Sequence, residues 1–432
     1  METKRALFIC LILFAFISSA RASDNFIQLK AILDFTTKAS EGNLSLEQII
    51  NIARENQVSI VIPTDRDHML WEYGLWPLRK IIRKKVEHNS LAEYGVNKYL
   101  KEIKDLRKKY ADMVIIPATE SAPFYYWQGS YFKNNLTMHD WHKHIITMGL
   151  EKESDYDYLP VIGNEKALAR GFSIYKFWPL LVIFLGLLCL RKRKYNYKDS
   201  QRKSLGPISA KWRLIGIILV FTGIVFFLNN FPFSEYAFDQ YHGNLGNLPY
   251  QQFVDYVADK GGLTFWDHPE AEYVYSAGDV DFKTYRHTNL LLELKNYTGF
   301  AIFYEGYETA GKPSGIWDQS LKEYCQGQRK NPAWAVAGLG FEKEDLKKLI
   351  RDLQTIVLVK NKDKQSVLDA FRKGRLYVAR GKRSFNFKLD EFYVHDKKGL
   401  KGYAGEELDI DGNPSMHIKG GFTDIQEPVQ VK

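Results

Sequence analysis

Apolar and polar positions change period several times along this 432-residue chain, and each change marks an element. Residues 29–35 form a short apolar run of the kind that makes a buried strand, and 58–63 form another. Between them Ser45, followed by Glu47 and Gln48, opens a stretch with Leu46, Ile49, Ile50 and Ala53 on one helical face. The pattern then predicts a charged helix over 98–110, a β-rich run at 113–117 and a strand over 144–150. Beyond residue 235 it predicts helices at 249–260, 285–296, 316–326 and 365–373. Strands are predicted at 263–266, 300–304, 334–337 and 355–359, followed by GRLYVARG. Strands alternating with helices indicate an α/β fold with a parallel sheet or a β/α barrel. Six or seven strands shared between two halves suit one barrel better than two half-sized sheets. From Ser384 the character changes to short antiparallel strands (FNFKLDEFYVHD, ELDIDG, SMHIKG), a small β-sandwich-like module over 384–432 that stops in EPVQVK.

Three stretches are too apolar for this scheme. The first follows the basic start METKR and ends in Ala20-Arg21-Ala22, the layout of a secretory signal peptide over 1–22. Left uncleaved, it would be an amino-terminal anchor and a third span. The second, 177–190, is too short to cross roughly 30 Å of hydrocarbon at about 1.5 Å per residue. Extended back to 171 it spans, with only Lys176 charged. The third, 214–234, has no charged residue. Trp178 and Trp212 stand where interfacial aromatics are expected.

The formal net charge is +9, which by itself suggests nucleic acid. Its distribution excludes that reading. The segment 191–213 carries nine Lys or Arg against the single Asp199, so eight of the nine net charges lie between the two candidate spans. Such a loop is the mark of a cytoplasmic connection under the positive-inside rule, in contact with anionic membrane lipid. The flanks 23–170 and 235–383 then share the extracytoplasmic side, the periplasmic side of the inner membrane in a bacterium. Of the cysteines, Cys10 and Cys189 fall in apolar stretches, and Cys325 alone supports no disulfide framework.

The order of the remaining motifs resembles the PHP (polymerase and histidinol phosphatase) family. LKAILDFTTKASEGNLSLEQIINIARENQVSIVIPTDRDH is similar to that family's opening, in which one strand ends in H-x-H and the next in T-D-H. IIPATES resembles its G-x-E strand, FWDHPEAE its His-Pro strand and GRLYVARG its closing motif. The resemblance spans roughly 28–170 and 245–383. It implies a distorted (β/α)7 barrel, here interrupted by a two-helix transmembrane hairpin and followed by the small C-terminal β module. It also implies divalent metals held at strand carboxyl ends, usually for phosphoester hydrolysis.

Carried over by position, the metal ligands are Asp34, Glu120, His144, His268 and Glu342. The family's H-x-H pair falls on Asp34 and Thr36, its T-D-H histidine on Arg66, and its late D-x-H pair on Gly340 and Glu342. A fixed cation at Arg66 opposes a divalent ion nearby. His68 is a candidate substitute for the missing ligand. In MHDWHKH, alternation along a strand sets His142 and His144 on one face and His139 on the other, whereas a loop would spread all three. Three readings stay open. The barrel is a pseudoenzyme or binding module with a degraded metal site; or it keeps one divalent metal (Mn, Zn or Fe), with Arg66 holding the phosphate of a phosphorylated small molecule; or these residues belong to an unrelated α/β fold. P-loop, dinucleotide and G-x-S-x-G patterns are absent from the sequence.

Overall fold

The computed structural model describes residues 26–197, 203–303, 305–341, 345–381, 386–410 and 412–423. The proposed signal peptide, Glu342 and the terminal EPVQVK lie outside these residues.

Seven strand positions close into a ring. β1 (Ile27–Ile32) is parallel to β2 (Ile60–Val61, resuming at Thr64–Arg66), which is parallel to β3 (Val114–Ile115, resuming at Ala118–Ser121). β4 (Ile145–Met148) pairs antiparallel with β3 and with β5 (Leu263–Trp266). β5, β6 (Gly299–Phe303) and β7 (Trp334–Ala337) are parallel again. The ring closes where the chain past β7 meets the chain past β1. Leu339 donates its N–H to the Leu33 carbonyl at 3.0 Å, and Thr36 donates to the Phe341 carbonyl at 3.1 Å. β8 (Leu353–Val359) pairs antiparallel with Ile27–Ala31 of β1, and β9 (Leu376–Arg380) extends that edge.

Alternation along the strands sorts side chains into three cores, one of them holding Ile145, Trp266, Phe300 and Ala335 with Tyr250, Phe253 and Leu291. Leu33, Ile60, Ile62, Ile116, Ile146, Phe265 and Val336 pack with Phe371 of the helix Lys364–Lys373. Ile32, Val61 and Ile115 instead meet Ile49, Ile50 and Ala53 of α1 (Leu46–Glu55) and Tyr99 and Ile103 of α2 (Val96–Lys109). At about 1.5–3 kcal/mol per fully buried large side chain, these layers contribute much of the stability of the ring. α1 starts as its sequence requires. The Ser45 hydroxyl accepts from the Gln48 N–H at 3.2 Å, and Gln48 Oε1 accepts from the Ser45 N–H at 2.9 Å.

Several expectations need correction. β4 is reversed, so the sheet is not parallel throughout. The helix expected over 285–296 shrinks to Leu290–Glu293, because Tyr285–His287 is used elsewhere: the His287 N–H bonds the Pro269 carbonyl at 2.9 Å. MHDWHKH is not one strand. Leu136–His139 is a strand of a separate sheet, and residues 140–144 turn into β4. ELDIDG forms no strand among its described residues, and the tail is a three-stranded antiparallel sheet of Asn386–His395, Lys401–Tyr403 and Ser415–Thr423.

Between β4 and β5 the chain leaves the barrel as a helical hairpin. α3 (Trp178–Arg191) is entered through a 3-10 turn at Ile174–Phe177, and α4 (Ala210–Asn230) returns. Both stretches are long and apolar enough to cross a membrane, and only 11% of each is buried. The strand pair Ala169–Phe172 and Ser234–Tyr236 closes the base of the hairpin, so residues 171–172 and 234 belong to strands rather than to the helices. Small residues let the helices touch. A Cβ on Gly216 would stand 2.7 Å from the Gly186 carbonyl oxygen, and one on Gly223 would stand 3.0 Å from that of Pro179.

Candidate metal centre

The carboxyl ends of the parallel strands form one mouth of the barrel. The reversal of β4 places its amino end there too, so His144, immediately before that strand, faces the residues that follow the others. Asp34 follows β1, Arg66 ends β2, Glu120 lies in β3, Asp267 and His268 follow β5, and Glu305 follows β6. All but Glu305, which is half-buried, are buried.

The turn before β4 is held from two sides. Asp140, at φ 62, donates its N–H to the Lys283 carbonyl at 2.9 Å and pairs with Lys143 at 2.8 Å. The His142 N–H meets the Thr284 hydroxyl at 3.2 Å. This frame brings the His142 ring within 4.4 Å of the rings of both His144 and His268. His144 Nδ1 hydrogen-bonds Glu120, which orients the ring and leaves Nε2 without a protein partner. His268 Nε2 lies 3.3 Å from Asp267 Oδ2 and 3.8 Å from Glu120 Oε1.

Two sets of donors result: His142, His144 and His268; and Glu120, Asp267 and His268, each with its ligand atoms within 4.8 Å of one another. Three donors about 2.1 Å from a shared ion lie about 3.4–3.6 Å apart, so side-chain adjustments of the order of 1 Å would close either set around a cation. His142 Nδ1, His144 Nε2 and His268 Nδ1 are all buried without a hydrogen-bond partner. Buried polar atoms are otherwise almost always satisfied, so this concentration fits a cation-binding centre. Mixed imidazole and carboxylate donors suit Zn, Mn or Fe better than Ca or Mg.

Electrostatics agree with that use. Burial lowers the His142 and His144 imidazoles, keeping them neutral, the form that ligates metals. Burial alone would raise Glu120, but His144 and Arg66 outweigh it and hold the carboxyl well below its usual range. Burial, then the charges of Asp267 and Glu120, pushes Asp34 well above it. Asp267 is raised by burial and by Glu120, with a hydrogen bond to Asp34 opposing. Arg66 Nε lies 3.7 Å from Glu120 and 3.4 Å from Glu41, so its charge is spent on carboxylates and not left facing a bare cation.

The residues expected from sequence fare differently. Glu120, His144 and His268 meet in the donor sets. Asp34 stands behind them, at φ 62, with its carboxylate accepting the Gly340 N–H at 2.8 Å. Glu342 is outside the described residues. His68 belongs to neither donor set. His142 and Asp267 are ligand candidates that sequence reasoning passed over. His142 reaches His144 through the turn at 140–144 and not through strand alternation, and Asp267 is the neighbour of a histidine already singled out.

Asp34 depends on a glycine opposite. A Cβ on Gly338 would sit 2.5 Å from Asp34 Oδ2. Gly338→Ala should therefore push Asp34 away from Asp267 and weaken metal binding about 10- to 100-fold, the range for outer-shell supports. A chelator-competition titration reads this directly. Unchanged affinity would remove Asp34 from the supporting shell.

No protein-family model matches this chain, and no curated protein matches it in sequence. Solved structures do align with it. One is a two-domain protein from Bacteroides vulgatus containing a predicted PHP-like metal-dependent phosphoesterase, at 9% identity and TM-score 0.37 over 92% of this chain and 88% of that one. Another is an amidohydrolase from Chromobacterium violaceum, at 14% identity and TM-score 0.29 over 73% and 88%. A third, named as a metal-dependent phosphoesterase, comes from Bifidobacterium adolescentis, at 10% identity and TM-score 0.28 over 72% and 88%. Likeness at this level carries no argument about chemistry, which has to come from the chain's own residues.

Proposed function

We propose that this chain is a membrane-anchored, extracytoplasmic barrel protein that holds one divalent cation and hydrolyses a phosphoester of a small molecule. The observation that carries the reading is the gathering at the barrel mouth of two buried donor sets that share His268, one with His142 and His144 and one with Glu120 and Asp267. The order of PHP-like motifs supports it, as do two little-buried apolar helices and the basic segment between them. A cation bound there supplies Lewis-acid stabilisation of charge on a phosphoryl oxygen. Glu120 orients His144, and Arg66 balances the negative charge that Glu41 and Glu120 gather. With its side chain only 11% exposed, Arg66 offers a substrate little of its surface. That burial favours a second reading, a metal-holding module that retains a phosphorylated ligand without cleaving it.

Elemental analysis of the purified full-length protein, paired with hydrolysis of nitrophenyl phosphate mono- and diesters, tests both. One equivalent of Mn, Fe or Zn with chelator-sensitive hydrolysis is the expected result. Bound metal without turnover leaves the binding module, and a chain that takes up no metal removes both. For topology, a reporter at Ser204 should read cytoplasmic and one at Lys312 external; the opposite signs would overturn the anchoring.

A further inference from the structure

Away from the barrel mouth, a cavity of about 460 Å³ opens where the helical hairpin meets the barrel. One wall is an antiparallel ribbon, Leu70–Gly74 with Arg83–Glu87, whose connecting loop reaches the end of α4. The Lys80 N–H donates to Asn229 Oδ1 at 3.0 Å, and Lys80 Nζ donates to the Phe231 carbonyl at 3.3 Å and the Tyr236 hydroxyl at 2.9 Å. Arg79, Lys80 and Lys176 line the space. The Arg79 guanidinium lies 4.2 Å over the Tyr241 ring, and its Nε is buried without a hydrogen-bond partner. Three carboxylates share the lining: Glu72 is paired with Arg83 at 2.8 Å and Lys85 at 3.6 Å, Asp239 is paired with His242 at 2.9 Å, and Glu165 opposes the cations without an ion pair to them. Among the described residues no carboxylate forms an ion pair with Arg79, Lys80 or Lys176.

The surroundings of the cavity are apolar. Trp76 is 77% exposed and Phe231 65%, and Ile82 and Tyr175 are exposed as well. Large apolar side chains left open to solvent around a cluster of cations mark a surface made for a lipid–water boundary. We propose that this cavity binds the phosphate of an anionic phospholipid in the leaflet entered by α3 and α4, with Trp76 and Ile82 seated against its acyl chains. The proposal rests on the membrane-anchored reading. Its occupant follows from position: Asn229 and Asn230 close α4 and also line the cavity, so the cations stand at headgroup height when the helix spans. A soluble phosphate would account for the cations and leave the apolar surroundings without a partner. Burial lowers the Lys80 ammonium, with Lys176 and Arg83 adding to the effect and Glu165 opposing it; an arriving phosphate would supply a counter-charge.

The full-length protein is reconstituted in phosphatidylcholine vesicles with and without phosphatidylglycerol, and retained lipid is read by native mass spectrometry. The wild type should keep one phosphatidylglycerol in preference to phosphatidylcholine. Lys80→Met should lose that preference about tenfold and Lys80→Arg should keep it. Because Lys80 also bonds Phe231 and Tyr236, Arg79→Gln, which loses no protein hydrogen bond from Nε, should weaken the preference as well with thermal melting unchanged. Carbonate extraction of the same vesicles reports the anchor separately. A protein that resists extraction but shows no preference for phosphatidylglycerol overturns the lipid site and leaves the anchor standing. Extraction into the soluble fraction overturns the anchor and the lipid site with it. Equal competition by free glycerol phosphate in detergent also overturns the proposal, because the site would then be one for soluble phosphate.

Discussion

Replacing His268 with alanine should strip the divalent cation from the purified full-length protein, while His139→Ala should keep a full complement. His268 belongs to both donor sets at the barrel mouth. Its loss leaves neither set with three ligands. Affinity should fall at least about a hundredfold, the upper end of what loss of an outer-shell partner alone costs. His139 is only three residues from His142, yet its ring stacks on Tyr126 at 4.8 Å and joins neither donor set. Metal content by plasma mass spectrometry distinguishes the two variants. Retention of metal by the alanine variant at 268, with loss at 139, would mean the centre has been placed wrongly.

The second large effect is a reversal of stability. Asp267 and Asp34 are both held above the ordinary carboxyl range, first by burial and then by neighbouring negative charge. A carboxyl with a folded-state pKa above its unfolded value binds its proton more tightly in the folded chain. Its stabilising contribution is full at low pH and is lost as pH rises from about 4, the unfolded value, through the raised folded one. Once both carboxyls ionise, the metal-free protein carries a buried charge conflict that a bound cation relieves. Asp267→Asn should stabilise the metal-free protein at pH 8 by about 1–3 kcal/mol, the scale of an uncompensated buried polar group. The gain should shrink at pH 5. With saturating metal the order should invert, the wild type melting higher by mass action. Thermal melts in detergent with chelator and with added Mn or Zn test this, and curves that never cross would count against the conflict.

The elements were legible where a local pattern decides them. The capping box at Ser45 and Gln48 and the apolar run at Leu263–Trp266 fall where sequence places them, because hydrogen bonding and burial there depend on near neighbours. Strand direction was not legible. The residues of β4 are buried like those of β5, and nothing in an apolar run records which way it threads the barrel. The same blindness hid His142. Its approach to His268 depends on the turn at Asp140 and on Thr284, a residue 142 positions away. Arg66 looked like a lesion in a metal site when read alone. Glu41 and Glu120, at 3.4 and 3.7 Å, make it part of a charge balance that only folding assembles.

The insertion between β4 and β5 also has a consequence during synthesis. Residues 149–262, including both apolar helices, must be made before Leu263–Trp266 can cover the free edge of Ile145–Met148. At about 5–20 residues per second the half-made barrel waits on the order of 10 s, its apolar edge unpaired while a helical hairpin is emerging. An exposed edge strand is a template for wrong partners, and shortness is one way to blunt it. β4 has only four residues. In the finished barrel that brevity is unremarkable, but in the nascent chain it limits how long a mispaired strand could grow before the correct partner arrives.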